Sequence, residues 1–213
     1  MRLLYDNRVQ IIPTIFEKEL KQAEKRLDKI LGLSRWAQID VVDGIFCPDK
    51  TFELELVGTW PQETKILWDV HLMVKEPAKW LNKCIFIGAS RIIGQVEMMS
   101  ARESFVRRIQ DVKIEAGLAF DVESPISNVP EDCDLVLIMG RKAGFGEFNF
   151  SDTVWEKIET AKKLNRGRLK KFLIAVDGGV DEKNMIKLEK CGVDIVYSGY
   201  NYEKLVATRQ DGN

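Results

Sequence analysis

The sequence predicts one closed (β/α)8 barrel, the TIM-barrel fold, formed by residues 1–213 as a single domain. Short apolar segments alternate along the chain with amphipathic or helix-sized segments, a pattern that indicates parallel strands joined by helices. Eight such units occur, which is the number that closes a barrel. An open doubly wound sheet is the alternative, but residues 13–16 lack the glycine-rich turn that usually follows its first strand.

The eight predicted strands are short apolar runs bounded by turn residues. They span residues 9–14, 36–42, 66–72, 91–96, 114–120, 134–139, 171–176 and 193–197. Alternate side chains of a strand share a face, so Gln38, Asp40 and Val42 point one way in the second strand. Ile39 and Val41 point the other way. A carboxylate in such an apolar run is costly unless it is paired, protonated or bound to a metal.

The predicted helices rest on a 3.6-residue apolar period and on residues that start or stop helices. They span residues 16–31, 77–86, 100–111, 152–164 and 181–191, with a last helix after the eighth strand. Gly32 is expected to cap the first helix, with Leu31 on its buried face. Pro77 should open the second helix, and Ser151 should be the N-cap of the fourth. Residues 121–132 hold two prolines and have room for one helical turn.

Composition and charge are those of an ordinary soluble globular protein, with 45% hydrophobic residues, 31% charged residues and a net charge of -1. No basic surplus points to nucleic acid, and no apolar stretch is long enough to span a membrane. The four cysteines form no C-x-x-C pair, which favours free thiols in a reducing compartment. The amino-terminal residues lack the apolar core of a signal peptide, so we expect a cytoplasmic protein.

Polar residues stand at the predicted strand ends, where the active site of a (β/α)8 barrel lies. They are Thr14, Gln38, Asp40, Asp69, His71, Gln95, Glu97 and Asp177. Two carboxylates and an imidazole, from Asp40, Asp177 and His71, suit a divalent cation such as Zn, Mn or Fe. Gln38 could add a side-chain oxygen to this set. The alternative is that His71 is hydrogen-bonded inside the barrel and that the aspartates cap loops.

Three glycine-containing segments after the last three strands predict a phosphate site. They are, in order, Gly144-Phe145-Gly146, Gly178-Gly179 and Ser198-Gly199. Late loops of such barrels often bind phosphate through converging backbone N–H groups. Glycine lets the backbone approach the anion closely, so three such segments at successive strand ends favour a phosphorylated ligand.

Six stretches, in this order and over nearly the whole chain, resemble the ribulose-phosphate 3-epimerase family of phosphate-binding barrels. They are Ile12-Pro13-Thr14-Ile15, Ile39-Asp40-Val41-Val42-Asp43-Gly44, Asp69-Val70-His71-Leu72-Met73-Val74, Val136-Leu137-Ile138-Met139, Gly144-Phe145-Gly146 and Val176-Asp177-Gly178-Gly179-Val180. The third and the last stretch are the most specific of the six.

The resemblance implies a metal-dependent isomerase of the pentose phosphate pathway that inverts C3 between ribulose 5-phosphate and xylulose 5-phosphate. It implies that Asp40 and Asp177 are the two acid/base groups, one on each face of the substrate, and that the reaction passes through an enediolate. It also implies one divalent metal ion (Zn, Mn, Fe or Mg) held by Asp40, Asp177 and His71. Three further positions match residues that contact the substrate, namely Thr14, Met73 and Met139.

Several positions depart from the family pattern. Gln38 stands at the position of a family histidine that binds the metal, and an amide oxygen is a poorer ligand than imidazole for Zn or Fe. The expected metal affinity is therefore lower, or the preference shifts toward Mn or Mg. Gln95 replaces another frequent histidine. Glu147 adds a negative charge beside the predicted phosphate loop, and Arg141 and Lys142 are placed to offset it.

Two other functions compete with a ketose-phosphate epimerase. Related decarboxylases and aldolases carry Asp-x-Lys-x-x-Asp on the third strand, but His71 stands at the lysine position here and no final aspartate follows. A non-catalytic or altered-specificity sugar-phosphate binder, deprived of normal metal binding by Gln38, is the other alternative. Retention of two buried carboxylates, which cost stability when unpaired, opposes it. A homo-oligomer is a possible state, since family members are often dimers or hexamers.

Overall fold

A computed structural model, which describes residues 9–60, 65–146 and 149–210, has the closed barrel that the sequence predicts. Eight parallel strands pair in sequence order, and the eighth pairs with the first. They are β1 (Gln10–Ile15), β2 (Trp36–Val42), β3 (Leu67–Met73), β4 (Ala89–Gln95), β5 (Glu115–Phe120), β6 (Leu135–Met139), β7 (Leu173–Asp177) and β8 (Ile195–Ser198). The predicted strands are confirmed to within two residues at each end. The single-domain prediction over residues 1–213 reaches beyond the described residues and stays a prediction.

Helices join most of the strands and form the outer layer. They are α1 (Leu20–Ile30), α2 (Leu81–Phe86), α3 (Arg102–Gln110), α4 (Thr153–Arg166), α5 (Glu182–Lys190) and α6 (Tyr202–Gln210). In the described parts of the connections after β2 and β3 lie two 3-10 helices, Leu54–Thr59 and Pro77–Trp80. Pro77 begins the second of these, as predicted, because its missing N–H is not needed in a first turn. Among the helices of the described segments, none has the length and apolar character needed to cross a membrane.

The first helix is shorter than predicted at both ends. It begins at Leu20, and Phe16, where the predicted helix began, lies in the connection after β1 and stacks on Phe145 with the ring centroids 4.0 Å apart. It ends before Leu31, which is 38% exposed and so does not lie on the buried face as predicted. Gly32 follows with a φ of 79°, a left-handed conformation that glycine adopts without a Cβ clash.

Two further local predictions were wrong. Asp152, not Ser151, occupies the N-cap position of α4. The Ser151 hydroxyl instead accepts a bond from the backbone N–H of Thr153 at 3.3 Å, just outside the helix. Residues 121–132 form no helix and contain turns, one of them closed by a bond from the Ser124 N–H to the Asp121 carbonyl at 2.9 Å.

Alternation along β2 sends side chains into two layers, as predicted. Ile39 and Val41 join the apolar layer between the strands and the helices, whereas Val42 joins the cluster inside the barrel. Gln38 and Asp40 share the inner face with Val42 and form hydrogen bonds there. The barrel interior therefore carries buried polar groups, and such groups need partners.

A buried polar network lies in the barrel interior, one layer below the strand ends. Arg91 Nη1 is 2.9 Å from Asp69 Oδ2, and the Tyr197 hydroxyl donates to the same oxygen at 2.6 Å. Burial raises the pKa of Asp69 to about 6, although the charge of Arg91 opposes the shift. Asp69 precedes His71 by two positions on β3. It therefore belongs to this structural layer and not to the strand-end site where the sequence placed it.

Gly140 is expected to be one of the least replaceable residues of the barrel. An added Cβ would lie 2.2 Å from the Gly178 carbonyl oxygen and 2.9 Å from the Phe150 ring. The Gly140 backbone cannot yield easily, because its N–H donates to the Asp177 carbonyl at 2.6 Å. Gly140→Ala should therefore lower the free energy of unfolding, measured in urea, by about 1–3 kcal/mol.

Gly167→Ala is the matched control for that substitution. A Cβ at Gly167 meets no atom within 4 Å. The control should leave the free energy of unfolding within about 0.5 kcal/mol of wild type. Equal losses in the two variants would contradict the close approach of β6 and β7 at Gly140.

Candidate active site

Three predicted site residues converge at the carboxyl ends of their strands. Asp40 on β2 pairs in register with His71 on β3, and Asp177 is the last residue of β7. All three are buried, with His71 at 0% exposure. One ligand atom of each lies within 4.8 Å of the other two. The predicted convergence of two carboxylates and the imidazole is thus confirmed.

Gln38 lies between the two carboxylates. Its Nε2 donates to Asp40 Oδ1 at 2.8 Å and to Asp177 Oδ2 at 2.6 Å, and it is 3.4 Å from the hydroxyl of Thr14. Its Oε1 is buried without a hydrogen-bond partner among the residues that the structure describes. One amide nitrogen therefore links two acid groups from β2 and β7, strands that are separated in the barrel by β1 and β8.

Burial and charge shift the acid–base behaviour of the site. Burial, and after it the nearby Asp40 carboxylate, raise the pKa of Asp177 to about 6. Burial alone would lower the pKa of His71, but its hydrogen bond to Asp40 and the charges of Asp40 and Asp177 raise it overall. The site therefore favours added positive charge, either as a proton or as a cation.

The ligand atoms fit a divalent cation. His71 Nδ1 lies 3.1 Å from Asp40 Oδ1 and 3.8 Å from Asp177 Oδ2. Metal–ligand bonds of about 2.0–2.2 Å put neighbouring ligand atoms of a tetrahedral ion roughly 3.3–3.6 Å apart, between the two observed values. Nitrogen and carboxylate donors suit Zn, Mn or Fe. These three residues could therefore hold the ion that the sequence implies.

Gln38 contacts this group through its amide nitrogen, whereas the predicted contact with an ion is through its amide oxygen. The amide nitrogen, which has no lone pair for a metal, faces the carboxylates. The amide would have to turn by half a rotation to present Oε1 to an ion, and both hydrogen bonds would be lost. Ligation by the Gln38 oxygen stays a prediction.

A cavity of about 870 Å³ opens above the two carboxylates. Asp40 and Asp177 line it together with Thr14. Most of the predicted phosphate-binding residues line it as well, namely Phe145, Gly146, Gly178, Gly179, Ser198 and Gly199. The acid groups and the glycine segments therefore face one space, as a bound sugar phosphate would require.

The other predicted site residues lie outside the cavity wall. Met73 and Met139 are buried in the apolar cluster inside the barrel. Gly144 is buried against the loop after β2, where an added Cβ would lie 2.6 Å from the sulfur of Cys47. This close packing explains why position 144 is a glycine. The charge predicted at Glu147 lies outside the described residues.

Two other polar strand-end residues do not join the acid cluster. Glu97 is exposed beyond β4 and accepts a bond from the Asp121 backbone N–H at 2.9 Å. Gln95 is fully buried, and neither of its side-chain polar atoms has a partner among the described residues.

Several cavity residues were missed by the sequence reasoning. Phe16 stacks on Phe145, and Lys18 lies over the same ring, 4.9 Å from its centroid. Tyr200 and Asn201 follow β8 and also line the cavity. The only available signal was their position just after a strand, which turn residues share.

Comparisons with known proteins identify the family of the chain. A profile of the ribulose-phosphate 3 epimerase family matches residues 10–202. The chain is 34% identical over 173 residues to the ribulose-phosphate 3-epimerase of Chlamydia trachomatis serovar D, covering 78% of this chain and 74% of that protein. It is 30% identical over 185 residues to the enzyme of the same name from Bacillus subtilis, covering 85% and 82%.

A solved structure of another protein has a similar fold. Phosphoribosyl anthranilate isomerase from Thermus thermophilus has a TM-score of 0.65 over 96% of this chain and 100% of that one, at 12% identity. The fold and the named relatives together define the class of the chain as an isomerase built on a (β/α)8 barrel. The chain belongs to the ribulose-phosphate 3-epimerase family and is an epimerase. The resemblance drawn from the six sequence stretches is thereby confirmed.

Proposed function

We propose that the chain interconverts D-ribulose 5-phosphate and D-xylulose 5-phosphate by inverting C3. The observation that carries the proposal is the pair Asp40 and Asp177. The two carboxylates come from β2 and β7, lie within 4.8 Å of each other through one oxygen each, and line one cavity. Inversion needs one proton removed from one face of a carbon and another added to the opposite face. Two acid/base groups on either side of the substrate meet that need.

One of the two carboxylates acts as the base and the other as the acid. One removes the C3 proton to give an enediolate, and the other delivers a proton to the opposite face. A pKa of about 6 lets Asp177 hold or release a proton near neutral pH. Asp40, His71 and Asp177 would hold one divalent ion (Zn, Mn, Fe or Mg), which when bound supplies Lewis-acid stabilisation of negative charge on the substrate oxygens.

The remainder of the cavity suits the sugar and its phosphate. Thr14 lines the wall beside the carboxylates. Met73 and Met139 would have to make their predicted contacts with the substrate from the buried apolar cluster outside that wall. The phosphate would lie against Phe145, the glycine segments after β6 and β7, and Ser198-Gly199 after β8. The four cysteines are free, in keeping with the cytoplasmic location that we propose.

Gln38 favours a second candidate function, a barrel that binds a sugar phosphate without normal metal-dependent turnover. Its amide nitrogen occupies the space between Asp40 and Asp177, so a cation must displace two hydrogen bonds. This candidate predicts sugar-phosphate binding without proton exchange at C3.

A coupled assay in heavy water separates the two functions. Metal-stripped protein should be inactive on ribulose 5-phosphate, and adding Zn, Mn, Fe(II) or Mg should restore turnover with at least one ion. The xylulose 5-phosphate formed should carry one solvent deuteron at C3. Binding of ribulose 5-phosphate with neither turnover nor deuterium uptake for any ion would support the non-catalytic binder instead.

A further inference from the structure

Arg141 brings a cation into the cavity beside the acid pair. It comes two residues after the end of β6 and lines the cavity together with Asp177. Its aliphatic stem crosses Gly178, where an added Cβ would lie 2.7 Å from Arg141 Cγ. Gly178 has a φ of 95°, so the backbone there favours glycine for its conformation as well as for space. The turn after β7 therefore has room for the Arg141 side chain because Gly178 carries no Cβ.

Most N–H groups of the Arg141 guanidinium have no acceptor among the described residues. It has five N–H groups, and within the described residues it donates to one neutral acceptor, the Gly146 carbonyl. Its charge is also among the influences that lower the pKa of Asp177. The other cation among the described lining residues, Lys18, is paired with Asp49 at 2.7 Å and lies over the Phe145 ring. Arg141 is thus the cation better placed to meet a ligand.

The carboxylates of the cavity wall favour a nearby cation when a phosphorylated ligand binds. Glu17, Asp40 and Asp177 all line the wall, and a phosphate dianion brought near them is repelled. Backbone N–H groups at the glycine segments offer dipoles but no full charge to offset this repulsion. Arg141 lies on that glycine side, against Gly178.

We propose that Arg141 binds the phosphate of the substrate and sets the preference for phosphorylated over unphosphorylated ketoses. A planar guanidinium can donate two parallel hydrogen bonds to a phosphate, so the contact is directional as well as charged. This inference rests on the proposed function for the identity of the sugar. The phosphate contact itself can be measured without turnover.

Four variants isolate the charge of Arg141. Arg141→Met keeps an apolar stem over Gly178 and removes the cation, and Arg141→Gln keeps an N–H donor for Gly146. Both should raise the KM for ribulose 5-phosphate by about 10–100-fold while kcat changes by less than about threefold. Arg141→Lys keeps the charge but loses the planar pair of donors, so its KM should lie between those of wild type and Arg141→Met. Lys142→Met, the same charge change on an exposed neighbour that does not line the cavity, should match wild type.

A direct binding measurement keeps this test apart from the test of the proposed function. The probe is inorganic phosphate, titrated by calorimetry at fixed ionic strength into wild type and each variant. A Kd that rises about 10–100-fold in Arg141→Met and Arg141→Gln, but not in Lys142→Met, supports the inference even if wild type turns over no ribulose 5-phosphate. Equal phosphate affinity in wild type and Arg141→Gln would overturn it, and so would a wild type that binds no phosphate.

Discussion

Replacing Asp177 by Asn is expected to lower the rate of ribulose 5-phosphate epimerisation by at least about 10³-fold. The amide keeps the shape of the carboxylate but can neither accept a proton from carbon nor return one. Gln38 Nε2, 2.6 Å from Asp177 Oδ2, can still donate to the amide oxygen, so the local geometry should persist. The measurement is kcat in the coupled assay with saturating metal and substrate.

The same substitution should leave the metal-free protein at least as stable as wild type at pH 7. Folding raises the pKa of Asp177 from its usual 3.8 to about 6, so the folded state binds this proton more tightly than the unfolded state does. The stability that the proton contributes is complete below pH 3.8 and is lost as the pH rises through about 6. Asn carries no charge to repel Asp40 at neutral pH. Wild type should therefore gain stability relative to Asp177→Asn as the pH falls from 7 to 5.

Loss of activity with stability retained would assign the defect to chemistry. The control is Asp28→Asn, which removes a carboxylate from the exposed face of α1 and should change neither kcat nor the urea midpoint. If Asp177→Asn kept more than a tenth of wild-type kcat, Asp177 would not be one of the two proton-transfer groups. Urea unfolding with chelator at pH 7 and pH 5 supplies the stability comparison.

The convergence of the acid cluster could be predicted from sequence because it follows from topology. Strand period decides which face a residue takes, and parallel strands bring their carboxyl ends to one rim. These two rules are sufficient to predict that Asp40, His71 and Asp177 lie close together. The period does not give depth along the barrel axis, however. Asp69 was therefore grouped with His71, although two residues of strand put it about 6–7 Å lower, in the layer of Arg91 and Tyr197.

Contacts between loops distant in sequence could not be predicted in this way. Phe16 stacks on Phe145 in the connection before α1, and Gly144 packs closely against Cys47 and does not line the cavity. Both depend on how two irregular segments pack, and neither has a period or spacing that marks it. The orientation of the Gln38 amide is of the same kind, because a rotamer choice inside the site decides it.

That orientation makes Gln38 a competitor of the metal. Its Nε2 lies 2.8 Å from Asp40 Oδ1 and 2.6 Å from Asp177 Oδ2, within the group of ligand atoms. Hydrogen bonds to charged groups contribute about 1.5–3 kcal/mol each, and a cation between the carboxylates must replace both. The two bonds also hold the acid groups in place when no ion is bound. The wild-type protein is therefore expected to bind its metal weakly and to keep the site ordered without it.

Gln38→His should tighten metal binding by at least about 10-fold, since an imidazole nitrogen offers a lone pair in place of an amide N–H. The readout is the Kd for Zn and for Mn, from competition with a chelating dye, and needs no turnover. A metal-dependent rise in Tm, larger in the variant than in wild type at equal ion concentration, should accompany it. Metal-free Gln38→His should be less stable than metal-free wild type if the histidine does not reproduce both bonds to the carboxylates.

Gln95→His is the matched control, because Gln95 is another fully buried glutamine on an adjoining part of the barrel and lies outside the group formed by Asp40, His71 and Asp177. It should leave the Kd for both ions within about threefold of wild type. If wild type already bound Zn as tightly as Gln38→His, the Gln38 oxygen would be an adequate ligand and its two hydrogen bonds would not oppose the ion. If Gln95→His tightened binding as much as Gln38→His, any added histidine in the interior would serve, and the position of Gln38 between the carboxylates would not explain the affinity.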